Sequence, residues 1–377
     1  MSIIIGADIV PTPSNRHWFE IGAIDKLVGE ELLDLLSNTD YRVFNLEVPL
    51  TNQISPIAKM GPNLIATTAS ITAMKALGID LVTLANNHIM DQNVQGLEST
   101  LQTLAHANIA YVGAGHDLRE ASKPFFVDIK GKRFGLYACA EHEFSIAEDD
   151  YPGANPFDCL DSLDHIAEMK MQCDYAIVLY HGGKEHYRYP SPYLQKVCRR
   201  IVDKGADLVV CQHSHCIGCK EEYLQGTIIY GQGNFIFDNL KNEYWNTSLL
   251  VRIDDNATIS YIPLQRQESG VRIATGSHAE DILGSFQKRS EEIQNPGFVK
   301  EQYRTFSQIS LKQYLTYFSG KQNQFIFKVV NKLSQHKYED FFSNYFKRKL
   351  GAGMRNYIEC EAHRELIIEG LKGSRRD

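Results

Sequence analysis

Six residues suited to holding cations stand far apart in the chain: Asp8, Glu47, Asn87, His181, His213 and His215. Each closely follows a short apolar run. Ile3-Ile4-Ile5 precedes Asp8, Val43-Phe44-Asn45-Leu46 precedes Glu47, and Leu81-Val82-Thr83-Leu84-Ala85 precedes Asn86-Asn87-His88. Ala176-Ile177-Val178-Leu179-Tyr180 ends at His181, and Leu208-Val209-Val210-Cys211 leads into Gln212-His213-Ser214-His215. In an open α/β sheet, ligands bind beyond the carboxyl ends of the strands, so residues distant in sequence meet there. Carboxylate and amide oxygens suit hard cations, and imidazole suits Mn, Fe, Zn or Ni; the mixed set implies a divalent transition ion. Two such ions, held ~3.5–4 Å apart by a shared carboxylate, clamp both the attacking and the leaving oxygen of a displacement. Glu47 is the candidate for that shared group. His213 and His215 are two residues apart. From an extended segment they face the same way, whereas from a turn each can reach a different ion.

The elements that position these residues are legible as alternating periods. Strands are expected at 3–5, 41–47, 81–85, 110–113, 175–180, 208–211 and 227–230, with hairpins from 125–129 with 134–140 and from 249–253 with 259–263. Helices are expected at 30–36, 69–77, 94–107, 160–171 and 191–204. This alternation predicts a layered α/β core flanked by helices. From about Glu268 the character changes to helical patterns at 279–292, 311–318, 324–333 and 338–350, rich in aromatics and lysines. The expected division is a catalytic domain over 1–265 and a helical C-terminal extension over 266–377.

Five ordered motifs make the pattern specific: Asn45-Leu46-Glu47, Ala85-Asn86-Asn87-His88-Ile89-Met90-Asp91, His181-Gly182-Gly183-Lys184-Glu185, Gln212-His213-Ser214-His215 and Tyr230-Gly231-Gln232-Gly233-Asn234-Phe235. Over roughly residues 1–240 the chain resembles the CapA-type (PGA_cap) family, named for capsule and poly-γ-glutamate synthesis, within the calcineurin-like metallophosphoesterase superfamily. The resemblance implies a layered sandwich of mixed β-sheets flanked by helices. It implies that Asp8 and His215 bind a first metal, that Asn87, His181 and His213 bind a second, and that Glu47 bridges. It also implies that His88 acts as general acid and that Asp91 orients it. Two positions depart from the superfamily pattern: Val10 stands where Asp-x-His would supply a histidine, and Glu47 replaces the usual aspartate. Two more depart from the family's own pattern: Ala7 replaces the glycine before Asp8, and Gly182 stands where a tryptophan would follow His181.

The implied activity is a metal-dependent hydrolysis of a phosphoester or a γ-glutamyl amide. Two divalent ions are expected, manganese foremost, with Fe, Zn or Mg as the other choices. Glu185, His186 and Asn234 are expected on the substrate side. The alternative is a non-hydrolytic component of a capsule or exopolymer synthesis complex, which the missing histidine favours. The surviving His88/Asp91 pair speaks against it.

A net charge of -7 gives no ground for nucleic-acid binding. Expected partners are a small-molecule or polymer substrate and capsule synthesis proteins. Neither a signal peptide nor a transmembrane segment is read from the sequence. Eight scattered cysteines, several in apolar runs, are expected to be free thiols in the cytoplasm. Cys216 and Cys219 have a zinc-like spacing, but no second such pair accompanies them.

Overall fold

The computed structural model of the protein describes residues 2–238, 242–318, 325–335 and 337–372. Its strands are β1 (Ser2–Ile9), β2 (Tyr41–Leu46), β3 (Leu81–Thr83), β4 (Ala110–Val112), β5 (Ala114–Gly115), β6 (Phe125–Ile129), β7 (Lys132–Ala140), β8 (Gly153–Ala154), β9 (Tyr175–His181), β10 (Leu208–Gln212), β11 (Lys220–Tyr223), β12 (Gly226–Ile229), β13 (Asn234–Ile236), β14 (Thr247–Asp254), β15 (Ile259–Gln267) and β16 (Gly270–Ile273). Two large mixed sheets result. One has the order β16-β15-β14-β1-β2-β3-β4, with β13 also on β1; the other runs β11-β12-β10-β9-β7-β6. Strands β1 to β4 are parallel, as are β7, β9, β10 and β12. The hairpins expected around Lys130-Gly131 and before Ile259 form as antiparallel pairs.

The two sheets face each other, sharing the buried side chains on one face of each, while the alternate residues of each strand point to its other face. Ile3, Val43, Leu81, Leu136, Ile177, Val210 and Val251 form a buried layer between them. Ile4, Phe44, Val82 and Leu250 point the other way. They pack against helices Arg16–Ile21, Glu30–Ser37, Ile71–Ala76 and Asn93–Ala107. Tyr137, Val178 and Val209 likewise meet helices Ser162–Lys170 and Pro192–Asp203. The fold is therefore a helix–sheet–sheet–helix sandwich, the layered α/β class expected.

The chain divides into two compact units, Met1–Val299 and Lys300–Asp377. The boundary expected at 265 falls inside β15, which continues to Gln267 and pairs with β16. Helix Gly276–Glu292 also belongs to the first unit, burying Ile282 and Phe286 with Leu249 and Ile217. A helical period alone does not say which core a helix buries into, and that misplaced the expected boundary. Lys300–Asp377 carries most of helix Phe298–Phe318, then Phe325–Leu333, Lys337–Glu359 and Glu361–Lys372. Phe327 is buried there, with ring centroids 5.4 Å from Tyr338 and 5.9 Å from Phe342. Gln324, expected to start one of these helices, lies outside the described residues. Among the described residues no helix is long and apolar enough to cross a membrane.

Candidate metal centre

The strand faces that form the inter-sheet layer do not stop at the last apolar residue. In β2 the face of Val43 continues through Asn45 to Glu47. In β3 the face of Leu81 continues through Thr83 to Asn87, and in β9 that of Ile177 continues through Leu179 to His181. Asp8 has the wrong parity for this face. A register shift between Ile5 and Asp8 corrects it. The shift frees two carbonyls, and buried amides take them. Gln232 Nε2 donates to Ile5 O at 3.0 Å, and Gln212 Nε2 donates to Gly6 O at 3.1 Å. Asn45 then fixes Asp8, donating from Nδ2 to Asp8 Oδ1 at 2.7 Å, while Thr83 Oγ1 donates to Asn45 Oδ1 at 3.0 Å.

The structure brings Asp8, Glu47, Asn87, His181, His213 and His215 together. Two groups, Glu47/His181/His213 and Asp8/Glu47/His215, each have ligand atoms within 4.8 Å of one another, and both contain Glu47. His181 Nε2 is 3.2 Å from Glu47 Oε1, 3.1 Å from Asn87 Oδ1 and 3.2 Å from His213 Nδ1. Asp8 and Glu47 are fully buried. Burial and the Glu47 charge raise the Asp8 carboxyl. Burial would raise Glu47 too, but His215 and His181 outweigh it and hold this carboxyl below its ordinary range. Burial, with His181 and His215 nearby, pushes His213 well down, leaving a neutral imidazole fit to be a ligand. Burial opposes protonation of His215, yet Glu47 and Asp8 lift it to about 9.

His213 and His215 both adopt left-handed backbone, with φ of 81° and 52°. Non-glycine residues rarely do so, and such strain concentrates at functional sites. The turn sends His213 toward His181 and His215 toward Asp8, 3.4 Å from Oδ2. Of the two arrangements open to His213 and His215, the structure adopts the turn. Asn234 lies beside His215, its Oδ1 2.8 Å from Nδ1. Gly231 and Gly233, at φ 123° and 80°, make the turn that places it; a Cβ on Gly233 would sit 2.7 Å from Thr247 O. His186 joins an aromatic wall. Trp245 Nε1 donates to His186 Nε2 at 2.9 Å, Tyr244 stacks on the His186 ring at 5.4 Å, and Trp245 lies 4.7 Å from the His215 ring. Glu185 is half-buried in the same loop, and no hydrogen bond of the cluster among the described residues involves it.

His88 Nδ1 lies 2.5 Å from Asp91 Oδ2. Two participants were not found in the sequence. Lys59, whose side chain is 2 % exposed, donates to Asp91 Oδ1 at 2.5 Å and to Asn87 O at 3.2 Å. It comes from an irregular loop with no periodic signal. Glu143 Oε2 accepts from Asn87 Nδ2 at 2.9 Å, and its Oε1 is 4.0 Å from His213 Nε2. Glu143 lies just beyond β7, so the strand-end pattern that flagged Asp8 would have found it. Cys216 and Cys219 are buried free thiols and belong to neither ligand group.

The donor set fits metal binding. Asp8 Oδ2 and both Glu47 carboxylate oxygens are buried without a hydrogen bond among the described residues. Buried charges are otherwise paired or coordinate metals. Val10 is 2 % exposed and packs with Ile9 and Ile236 in the apolar cluster between the first sheet and its helices, so that position supplies no ligand. The model of the family described as "Bacterial capsule synthesis protein PGA_cap" matches residues 9–239, more than half of the 377-residue chain.

The chain belongs to the PGA_cap family.

Among its PGA_cap relatives, the capsule biosynthesis protein CapA of Bacillus anthracis is 29 % identical over 254 residues, covering 64 % of this chain and 62 % of that protein. The PGA biosynthesis protein CapA of Bacillus subtilis is 30 % identical over 238 residues, covering 59 % and 57 %. The chain thus spans about three fifths of the length of these relatives. Solved structures similar to it include a putative 5'-nucleotidase from Staphylococcus aureus, 12 % identical with a TM-score of 0.43, covering 76 % of this chain and 57 % of that one. A phosphatase from Mycoplasma pneumoniae is also 12 % identical with a TM-score of 0.43, covering 72 % and 94 %. The PGA_cap match begins one residue after Asp8 and includes every other residue of the cluster.

Proposed function

We propose that this protein is a binuclear metal-dependent hydrolase acting on a phosphoester, or on a γ-glutamyl amide, in capsule or exopolymer metabolism. The sharing of Glu47 by both ligand groups carries the reading. Asp8 and His215 would hold one divalent cation, Asn87, His181 and His213 the other, and Glu47 both, with manganese the favoured metal. When bound, such a pair supplies Lewis-acid polarisation of a phosphoryl or carbonyl oxygen and an activated water at neutral pH. The rest falls to the chain itself. Asp91 accepts from His88 Nδ1, which leaves Nε2 to carry the proton for a leaving group. Lys59 Nζ donates to Asp91 Oδ1, which holds the carboxylate in place while its Oδ2 holds the ring. Eight cysteines without a disulfide support a reducing compartment, the cytoplasm.

One observation favours a second reading. Val10 packs in the core where a further imidazole is expected, so a first cation would have fewer ligands, as suits a binding component of a synthesis complex. Turnover of p-nitrophenyl phosphates and of γ-glutamyl p-nitroanilide with Mn²⁺, beside His88→Ala, separates the two. The hydrolase reading expects turnover that the substitution removes. Two bound ions with no turnover on either substrate would leave the complex component standing.

A further inference from the structure

Near the cluster, beyond the aromatic wall, lies a second cavity that the hydrolase reading leaves without a role. It measures about 350 Å³, and its lining includes Arg188, Thr247, Asp281, Ser285 and Arg289. Arg188 follows His186 by two residues. Arg289 lies on helix Gly276–Glu292, four residues beyond Ser285 and eight beyond Asp281, on one helix face. A single short segment anchors both guanidinium groups. Arg188 Nη1 donates to Ile217 O at 3.0 Å, and Arg289 Nε donates to Gly218 O at 2.7 Å. Among the described residues neither arginine makes an ion pair. Each guanidinium has five N–H donors in a fixed fork, so most of them are left for a ligand. Burial lowers the Arg289 pKa, and the charge of Arg188 lowers it further. Two half-buried cations facing one cavity are unfavourable until an anion joins them.

The cavity is tied to the cluster by direct contacts. The Arg188 guanidinium lies 4.9 Å from the Tyr244 ring centroid, and Tyr244 stacks on His186, which accepts from Trp245 beside His215. We propose that this cavity is an anion subsite, in which Arg188 and Arg289 hold a carboxylate or phosphate group of the substrate remote from the bond that breaks. The substrate is then at least doubly anionic, with one group at the cluster and one at the arginines. The link to a reaction rests on the hydrolase reading; the anion binding does not. Asp281 on the exposed rim opposes the ligand and sets its affinity.

The test is calorimetric titration of the full chain, treated with EDTA, with inorganic phosphate and separately with glutarate at low salt. Removing divalent ions keeps both probes from binding through metal at the cluster. One site per chain is expected for at least one probe. Arg289→Gln should weaken it about tenfold and Arg289→Lys less, on the scale of a charge-assisted hydrogen bond. Asp281→Asn should tighten it about twofold, and this exposed position leaves folding intact. Saturation by phosphate alone assigns a phosphorylated substrate, and by glutarate alone a carboxylated one. Binding of neither probe, binding that Arg289→Gln leaves unchanged, or no tightening in Asp281→Asn overturns the proposal. Two Mn²⁺ per chain without anion binding defeats this inference alone. Anion binding without Mn²⁺ defeats the hydrolase reading alone.

Discussion

Strand β9 passes through two environments within five residues. Ile177 and Leu179 point into the inter-sheet layer, where each apolar side chain meets others from the facing sheet. His181, next on the same face, meets Glu47, Asn87 and His213. The layer stabilises the fold by removing apolar surface from water. The rim does the opposite, burying carboxylate oxygens that accept no hydrogen bond among the described residues and holding two histidines in left-handed backbone. The difference locates where stability has been exchanged for the capacity to hold a ligand.

Glu47→Gln gives the largest expected effect, because it alters the residue common to both candidate ligand groups. Mn²⁺ measured by elemental analysis should fall from about two per chain to about one or fewer, and turnover should fall to background. A count still near two would show that Glu47 is not shared, and the distinction between rim and layer would lose its chemical meaning. His88→Ala should come next, lowering turnover about 10²–10⁴-fold with the Mn²⁺ count unchanged. Loss of metal in that variant would assign His88 to coordination instead. On the other side of the comparison, Ile177→Ala should destabilise the protein by about 2–5 kcal/mol in denaturant unfolding and leave the metal count as it was. If Ile177→Ala also emptied the site, layer and rim would be one cooperative element.

Much of this contrast was legible in the sequence, for a physical reason. An apolar run that ends abruptly in Glu47, Asn87 or His181 announces both the strand and its polar end, and the alternation with helices announces a layered α/β core. Less was legible where a feature depends on backbone irregularity. The register shift in β1 that turns Asp8 onto the shared face leaves no mark in residue types. The three-residue β13, which pairs with β1 at Asp8 and Ile9, and the four-residue β16 are too short to show a period. Lys59 is placed by a long-range ion pair that local pattern does not encode. The two arginines of the second cavity come from a loop and a helix 101 residues apart, and only the folded chain brings them to one space.

The smallest effect concerns protons, and its sign separates rim from layer. In the metal-free protein His215 keeps its proton up to about pH 9, whereas its ordinary value is 6.5. The groups facing it include Glu47 and Asp8, whose charges favour the proton, Asn234, which accepts a hydrogen bond from it, and the rings of Trp245 and His186, the latter with its own pKa lowered by burial. His213 opposes it only if charged, and its own pKa is well below 6.5. A folded-state pKa raised above the unfolded value contributes stability fully present below pH 6.5 and lost as pH rises through 9. Metal-free protein should therefore lose about 2–4 °C in Tm between pH 6.5 and 9. A cation must displace that proton, so Mn²⁺ affinity should climb across the same window. Glu47→Gln removes the charge that contributes most to the elevation and should flatten both trends, whereas Ile177→Ala should lower Tm at every pH and leave the slopes alone. Parallel slopes in wild type and Glu47→Gln would detach His215 from the shared carboxylate.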